Sequence, residues 1–136
     1  MRSDRGQALL EFAIAVPLVL MVSVASFEVA RAVWQLNALG YAAGEGARYV
    51  IAHGAASDDP VGPATATDGP VRDAVVRAAV GLPAPSVVAT WPDGNNTDGS
   101  RVTVEATIVF IPVASQYLTG GALRVTLRGV TTQVIR

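Results

Sequence analysis

An uncharged stretch near the N-terminus, from Phe12 to Phe27, constrains this chain more than any other feature. An α-helix rises ~1.5 Å per residue, and the hydrocarbon core of a membrane is ~30 Å thick. Extended back to Ala8, the stretch is just long enough to cross that core as a helix. We therefore predict a transmembrane helix over residues 8–27.

The charges that flank the span predict its orientation. Arg2 and Arg5 precede it, whereas Arg31 is the first basic residue after it. Basic residues concentrate on the cytoplasmic side of membrane spans. We expect the N-terminus in the cytoplasm and the C-terminal bulk of the chain outside.

A cleaved secretory signal peptide is the alternative for this segment, because Ser23-Val24-Ala25 offers small residues at cleavage spacing. The apolar run is longer than the ~7–15 residues of a usual signal, and the helical pattern continues past the cut. The pattern favours an uncleaved anchor.

Composition narrows the function classes. The chain has 136 residues, which is enough for one domain. Its net charge is −1, and its ten basic residues are all arginine. It therefore carries no basic surplus for binding nucleic acid. It has no cysteine for a disulfide, a thiol nucleophile or a cysteine zinc site. We expect no enzyme, no cofactor and no bound metal.

The helical period continues from Glu28 to Ala52. We predict one apolar seam along it and place Glu28 with Arg31, and Glu45 with Arg48, as solvated pairs on the polar side. Pro17, in the membrane half, is expected to bend or loosen the helix. The predicted seam consists of Val29, Val33, Leu36, Gly40, Ala43, Ala47 and Val50.

Four small residues in the lower seam, Gly40, Ala43, Gly44 and Ala47, are the predicted helix-packing positions. Glycine inside a helix costs roughly 0.5–1 kcal/mol relative to alanine, so a close neighbour must recover the loss. That neighbour is either the chain's own sheet or the helix of another subunit, and both can hold on different faces.

The first helix is expected to end at His53-Gly54, before a linker over residues 54–69. His53, the single histidine, is interpreted as a partner of the last helical carbonyls and not as a catalyst. A second helix is predicted with Asp68 or Gly69 as its cap, Pro70 in its first turn and Gly81 as its stop.

From Ser86 the apolar period changes to two, which predicts strands. A hairpin joins Val87-to-Trp91 to Val102-to-Phe110, and a third strand buries Leu123, Val125 and Leu127. We expect a bulge at Gly129, because Val130 and Val134 have the opposite parity. The result is an antiparallel sheet of about three strands.

The loop over residues 93–99 is rich in Asp, Asn and Gly and superficially resembles a calcium loop. It lacks the glycine at the sixth position and the glutamate at the twelfth that such loops use. These residues are also typical of turns, so the pattern favours a turn over a metal site.

Two motifs carry a resemblance to a known family. Arg5-Gly6-Gln7-Ala8-Leu9-Leu10-Glu11-Phe12 resembles the processing region of Flp-class type IV pilins and TadE-like pseudopilins. Ala42-Ala43-Gly44-Glu45-Gly46-Ala47-Arg48-Tyr49 resembles a second TadE-like signature. Gly44 and Phe12 depart from the usual residues of these motifs, a charged residue and a tyrosine.

The resemblance implies a site and a set of partners. A prepilin peptidase would cut between Gly6 and Gln7 and free an α-amino group. Glu11, expected to act with Phe12, would pair with that amine on a neighbouring subunit. The other implied partners are the membrane, further pilins or pseudopilins of the Tad system, and the pilus assembly platform.

The expected fold is α+β and type IV pilin-like. Its parts are a leader over residues 1–6, a long helix over 7–53 with its extracytoplasmic half at 28–53, the linker, and an αβ domain over 70–136. The expected function is that of a minor pilin or pseudopilin of a Tad/Flp pilus. It would be single-pass in the inner membrane and then incorporated into an adhesive extracellular pilus. The alternatives are a major filament subunit and an anchored extracytoplasmic binding module that does not polymerise.

Overall fold

The computed structural model describes residues 2–64 and 69–136, with side chains from residue 6 onward. A long apolar helix is followed by an α+β region with a three-stranded antiparallel sheet, which confirms the predicted layout. The elements are α1 (Arg2–Ala52), α2 (Pro70–Ala78), β1 (Ser86–Thr90), β2 (Arg101–Phe110), α3 (Val113–Thr119) and β3 (Val125–Val134).

Helix α1 has 51 residues and is therefore about 75 Å long. It continues through Pro17 without a break. In its apolar part, the hydroxyls of Ser23 and Ser26 donate hydrogen bonds to the carbonyls of Val19 and Val22, each at 2.8 Å. These bonds satisfy the hydroxyls within the helix itself, as a lipid environment requires.

The sheet has the order β1-β2-β3, and both pairings are antiparallel. The alternation predicted for β1 and β2 is confirmed, because Val87, Ala89 and Trp91 are buried together with the even-numbered residues of β2 from Val102 to Phe110.

The bulge predicted at Gly129 is wrong. Strands β2 and β3 pair without interruption, and Gly129 lies opposite Ala106. Val130 and Val134 simply point to the open face of the sheet, where both are exposed. The predicted inward residues Leu123 and Val125 are also exposed, and Leu127 is half-buried.

The core lies between the C-terminal half of α1, the inner face of the sheet, and α2. Leu39, Ala42, Ala47 and Val50 are fully buried there. Gly129 permits the closest approach, because a Cβ on it would lie 2.5 Å from the backbone carbon of Leu39. Helix and strand therefore meet backbone to backbone at this point.

The seam predicted along α1 is only partly right. Ala43, Ala47 and Val50 face the core, but Val29 and Val33 are exposed. The buried positions of the same stretch are instead Glu28 and Gln35, which lie on the neighbouring face of the helix. Apolar character therefore does not mark the inward face in this part of α1.

Helix α2 begins at Pro70 with Gly69 as its N-cap, as predicted, and it buries Val71, Ala74 and Val75. The other predicted cap, Asp68, lies outside the described residues. Helix α3 was not predicted. It occupies the connection between β2 and β3, with Pro112 at its N-cap and Gly120 in a left-handed conformation at its end.

Candidate functional site

The predicted processing and pairing residues lie on the first turns of α1. Gly6, Gln7, Glu11 and Phe12 are all exposed, and the side-chain amide of Gln7 donates a hydrogen bond of 3.2 Å to Oε1 of Glu11. Among the side chains that the structure describes, no basic group forms an ion pair with Glu11. The carboxylate thus contacts the side chain of the residue that cleavage after Gly6 would make N-terminal.

The first part of α1 keeps its side chains uncovered over its most apolar window. That window is long and apolar enough to span a membrane, and none of it is buried. The exposed side chains include large ones on every side of the helix, such as Leu10, Phe12, Leu18 and Met21. A helix apolar all round needs lipid or other helices to cover it.

The structure divides the four predicted packing residues into two pairs. Ala43 and Ala47 are fully buried in the chain's own core. Gly40 and Gly44 lie one turn apart and are half-buried, and added Cβ atoms would meet nothing within 4 Å at Gly40 and only Thr131 Oγ1 at 4.0 Å at Gly44. Two faces of one helix thus carry small residues, and only one of these faces is covered by the chain's own core.

We call the outer seam the row formed by the exposed Val29, Val33 and Leu36 and the half-buried Gly40. It lies beside the core-facing side of α1 and leads from the apolar N-terminal part directly to Gly44. Small residues spaced one turn apart allow a second helix to approach closely. The outer seam with Gly44 is therefore suited to receive another helix.

Glu28 and Arg31 make tertiary contacts that were not expected from the sequence. The two side chains pair at 2.7 Å, and Glu28, only 9% exposed, also accepts the backbone N–H of Val113 at 3.0 Å. Arg31 donates to the carbonyl of Ile111 at 2.8 Å and lies 4.4 Å from the centre of the Phe110 ring. The pair fastens α1 to the segment that joins β2 to α3.

The expectation of a solvated Glu28–Arg31 pair is therefore wrong. The Arg31 hydrogen bond lowers the pKa of the Glu28 carboxyl, and the Val113 N–H acts in the same direction, although burial opposes them. The spacing of Glu28 and Arg31 was visible in the sequence. Their tertiary partners are a backbone N–H and a backbone carbonyl, which leave no signal in side-chain patterns.

Glu45 and Arg48, in the second motif, form the predicted i,i+3 pair at the surface. At the end of α1, Nδ1 of His53 lies 2.8 Å from the carbonyl oxygen of Tyr49, and the two rings stack at 4.0 Å. His53 thus engages a late helical carbonyl, as predicted.

The 93–99 loop uses its side-chain oxygens to hold its own shape. Asp93 accepts hydrogen bonds from the backbone N–H, Nε and Nη2 of Arg101, the last at 2.7 Å. Asn95 accepts from both the backbone and the hydroxyl of Thr97. The Arg101 guanidinium lowers the pKa of Asp93 to about 2.

The features described so far define a class: an α+β protein whose long N-terminal helix is half core element and half uncovered apolar rod. A family model described as TadE-like protein matches residues 6–48. The match confirms the TadE-like resemblance and spans both sequence motifs except Tyr49 and the residue before Gly6. It associates the chain with the Tad pilus. Comparison with curated proteins and with solved structures found no match.

Proposed function

We propose that the protein is a minor pilin or pseudopilin subunit of a Tad/Flp-type pilus, which acts by packing against other subunits and not by catalysis. The observation that carries the proposal is the uncovered N-terminal part of α1, which lies within the TadE-like match over residues 6–48. Among the described side chains of this 51-residue helix, the buried ones all lie at or after Glu28, so the helix is suited to bind lipid first and other subunits later.

Before assembly, this part of α1 anchors the chain in the inner membrane. The N-terminus is cytoplasmic and the αβ domain extracytoplasmic, in keeping with Arg2 and Arg5 before the span. A prepilin peptidase on the cytoplasmic side cuts between Gly6 and Gln7. The processed helix then leaves the membrane to join the core of a filament.

Glu11 supplies the specific contact in this proposal. A carboxylate inside an apolar segment costs on the order of 2–3 kcal/mol, and such groups generally have a partner. The α-amine freed at Gln7 of a neighbouring subunit provides the opposite charge. Until then, the Gln7 side chain holds the Glu11 carboxylate within the same helix at 3.2 Å.

The outer seam, with Gly44, supplies the second contact. It continues the uncovered surface of the membrane half along the extracytoplasmic half without crossing the chain's own core. A neighbouring helix that starts against Phe12 can therefore follow α1 upward on one side.

Substitution of Glu11 tests the pairing. In cells lacking the wild-type copy, we expect Glu11→Ala and the isosteric Glu11→Gln to insert in the membrane normally but to block assembly, because both remove the charge. Glu105→Ala is the matched control, since it removes a carboxylate from an exposed pair on the sheet. Normal pili with Glu11→Gln would refute a charged contact.

The cell fraction in which the chain is recovered distinguishes the proposed role from its two alternatives, a major filament subunit and an anchored binding module. A major subunit would dominate filaments sheared from the cell surface, whereas an anchored binding module would remain in the membrane fraction. We expect a small but reproducible amount in the sheared filaments.

A further inference from the structure

We propose that α3 and the turn after it are seated in the outer leaflet of the same membrane that α1 spans, so that the extracytoplasmic domain has a second lipid contact. This inference rests on the proposed membrane insertion of α1. It adds that the αβ domain is held against the bilayer in one orientation by a segment far away in the sequence.

The position of α3 along α1 is the first argument. Ala114 and Leu118 share an apolar cleft with Leu20, Met21 and Val24, all of which belong to the predicted span. These α1 residues lie roughly 5–10 Å below the end of the span at Phe27, by the helical rise. Interfacial helices bury their apolar face by ~5–10 Å, which is the same depth.

The second argument is the chemistry of the segment. From Ala106 to Leu123 the chain carries no charged residue, and Arg124 follows directly. Tyr117 and Leu118 project from α3 with 82% and 83% of their surfaces exposed. An aromatic residue, apolar neighbours and a flanking arginine are typical of segments at a membrane interface.

The segment also pairs several of its own polar groups, which is the third observation in favour of a lipid contact. The Ser115 hydroxyl accepts the N–H of Leu123 at 2.9 Å, and its carbonyl accepts the N–H of Gly121 at 3.0 Å. The Thr119 hydroxyl also donates to the Ser115 carbonyl. A turn in contact with lipid must pair its backbone groups in this way, whereas a turn in water need not.

The Glu28–Arg31 pair lies just above this segment and fixes its depth. It binds Ile111 and Val113 on both sides of Pro112, so α3 cannot move along α1 without breaking charged hydrogen bonds. The same pair therefore places the last charges of the domain at the level where the lipid headgroups begin.

Depth-dependent quenching tests the proposal in the full-length protein. The chain has no cysteine, so single cysteines can be introduced and labelled with an environment-sensitive fluorophore. The protein is reconstituted in phosphatidylcholine–phosphatidylglycerol vesicles that contain a lipid spin-labelled near the head of its acyl chain. The positions are Leu118→Cys, Ser23→Cys within the span, and Val80→Cys as the control.

Val80 resembles Leu118 in its exposure, which is 78%, and it lies just after a short helix, whereas Leu118 lies near the end of one. It lines a hollow with Tyr41 of α1, which lies about 20 Å beyond the end of the span. We expect labels at positions 118 and 23 to lose most of their fluorescence and the label at 80 to keep it.

The other outcomes each overturn a defined claim. Quenching at 23 without quenching at 118 would refute the seating of α3 and leave the anchor intact. No quenching at 23 would refute the membrane span, and the proposed function with it. Quenching at 80 would mean that the whole domain lies in lipid. Self-quenching at 118 that grows with the protein-to-lipid ratio would assign the cleft to a second copy instead.

Discussion

The two halves of α1 are continuous in the backbone and opposite in environment. Between Glu28 and Ala52 the helix has a buried face supplied by its own sheet, and Leu39 is fully buried there. In the apolar N-terminal part, no residue of the window that could span a membrane is buried. The second half of the helix therefore contributes to the core of the domain, whereas the first half leaves its apolar side chains uncovered.

The same Leu→Ala substitution in the two halves gives the largest expected contrast. Leu39→Ala should lower the free energy of unfolding by about 3 kcal/mol, because it leaves a cavity in the core. Leu18→Ala, at a position that is 57% exposed, should change it by less than about 0.5 kcal/mol. Urea unfolding of the full chain in detergent, followed by tryptophan fluorescence, measures both. Equal losses would contradict the division of the helix.

A Gly→Ala pair tests the contact between α1 and β3. Gly129→Ala should destabilise by about 2 kcal/mol, because its Cβ would lie 2.5 Å from the backbone carbon of Leu39. Gly40→Ala meets nothing within 4 Å and should stabilise the helix by roughly 0.5–1 kcal/mol. The same unfolding assay compares them. A stabilising Gly129→Ala would show that helix and strand do not touch there.

Arg31→Met tests whether the Glu28–Arg31 ion pair, at the boundary between the two halves of α1, stabilises the contact of the helix with the domain. The substitution should lower the free energy of unfolding by about 1.5 kcal/mol, because Glu28 keeps its hydrogen bond from the Val113 N–H but loses its charged partner. Arg48→Met, in the exposed pair with Glu45, is the control and should cost less than about 0.5 kcal/mol. If the two substitutions cost the same, the buried position of Glu28 has no energetic consequence.

Acid should weaken the 93–99 loop, which lies outside the membrane half. Arg101 lowers the pKa of Asp93 from 3.8 to about 2. The stabilisation from this depressed pKa is therefore complete above pH 3.8 and is lost as the pH falls through about 2. Unfolding experiments from pH 5 downward should show a smaller decline for Asp93→Asn than for the wild type. Asp98→Asn, in the same loop, should follow the wild type.

Pattern reading succeeded where the chain buries its own apolar residues. The alternation from Val102 to Phe110 and the punctuation around Pro70 were sufficient for β2 and α2. It failed where apolar residues face outward. Leu123 and Val125 were assigned to the buried face of the third strand, because nothing in the sequence distinguishes a side chain that is buried in its own domain from one that stays exposed.

The errors at Gly129 and α3 have different causes. The apolar residues change parity after Gly129 because Val130 and Val134 face outward, and because Gly129 has no side chain where the α1 backbone packs against it. The sequence pattern is the same as that of a bulge, and only the packing distinguishes the two. Helix α3 has seven residues, too few for a clear period. Its boundaries at Pro112 and Gly120 repeat the proline-start and glycine-stop pattern that revealed α2, so this signal was present in the sequence.

The residues of the candidate site could be predicted from the sequence, but their arrangement in space could not. Gly6, Gln7 and Glu11 are identified by motif alone, and the structure places them together on exposed turns of α1. The division of the small residues between two faces required the fold. The position of the sheet buries Ala43 in the core and leaves the space beside Gly40 open.

The central claim is that the uncovered half of α1 is processed and then finds its partners in a filament. Mass spectrometry of the chain recovered from filaments sheared off the cell surface tests it most directly. We predict a mature N-terminus at Gln7 in that fraction. A chain that begins at Met1, or at any residue other than Gln7, would contradict the account.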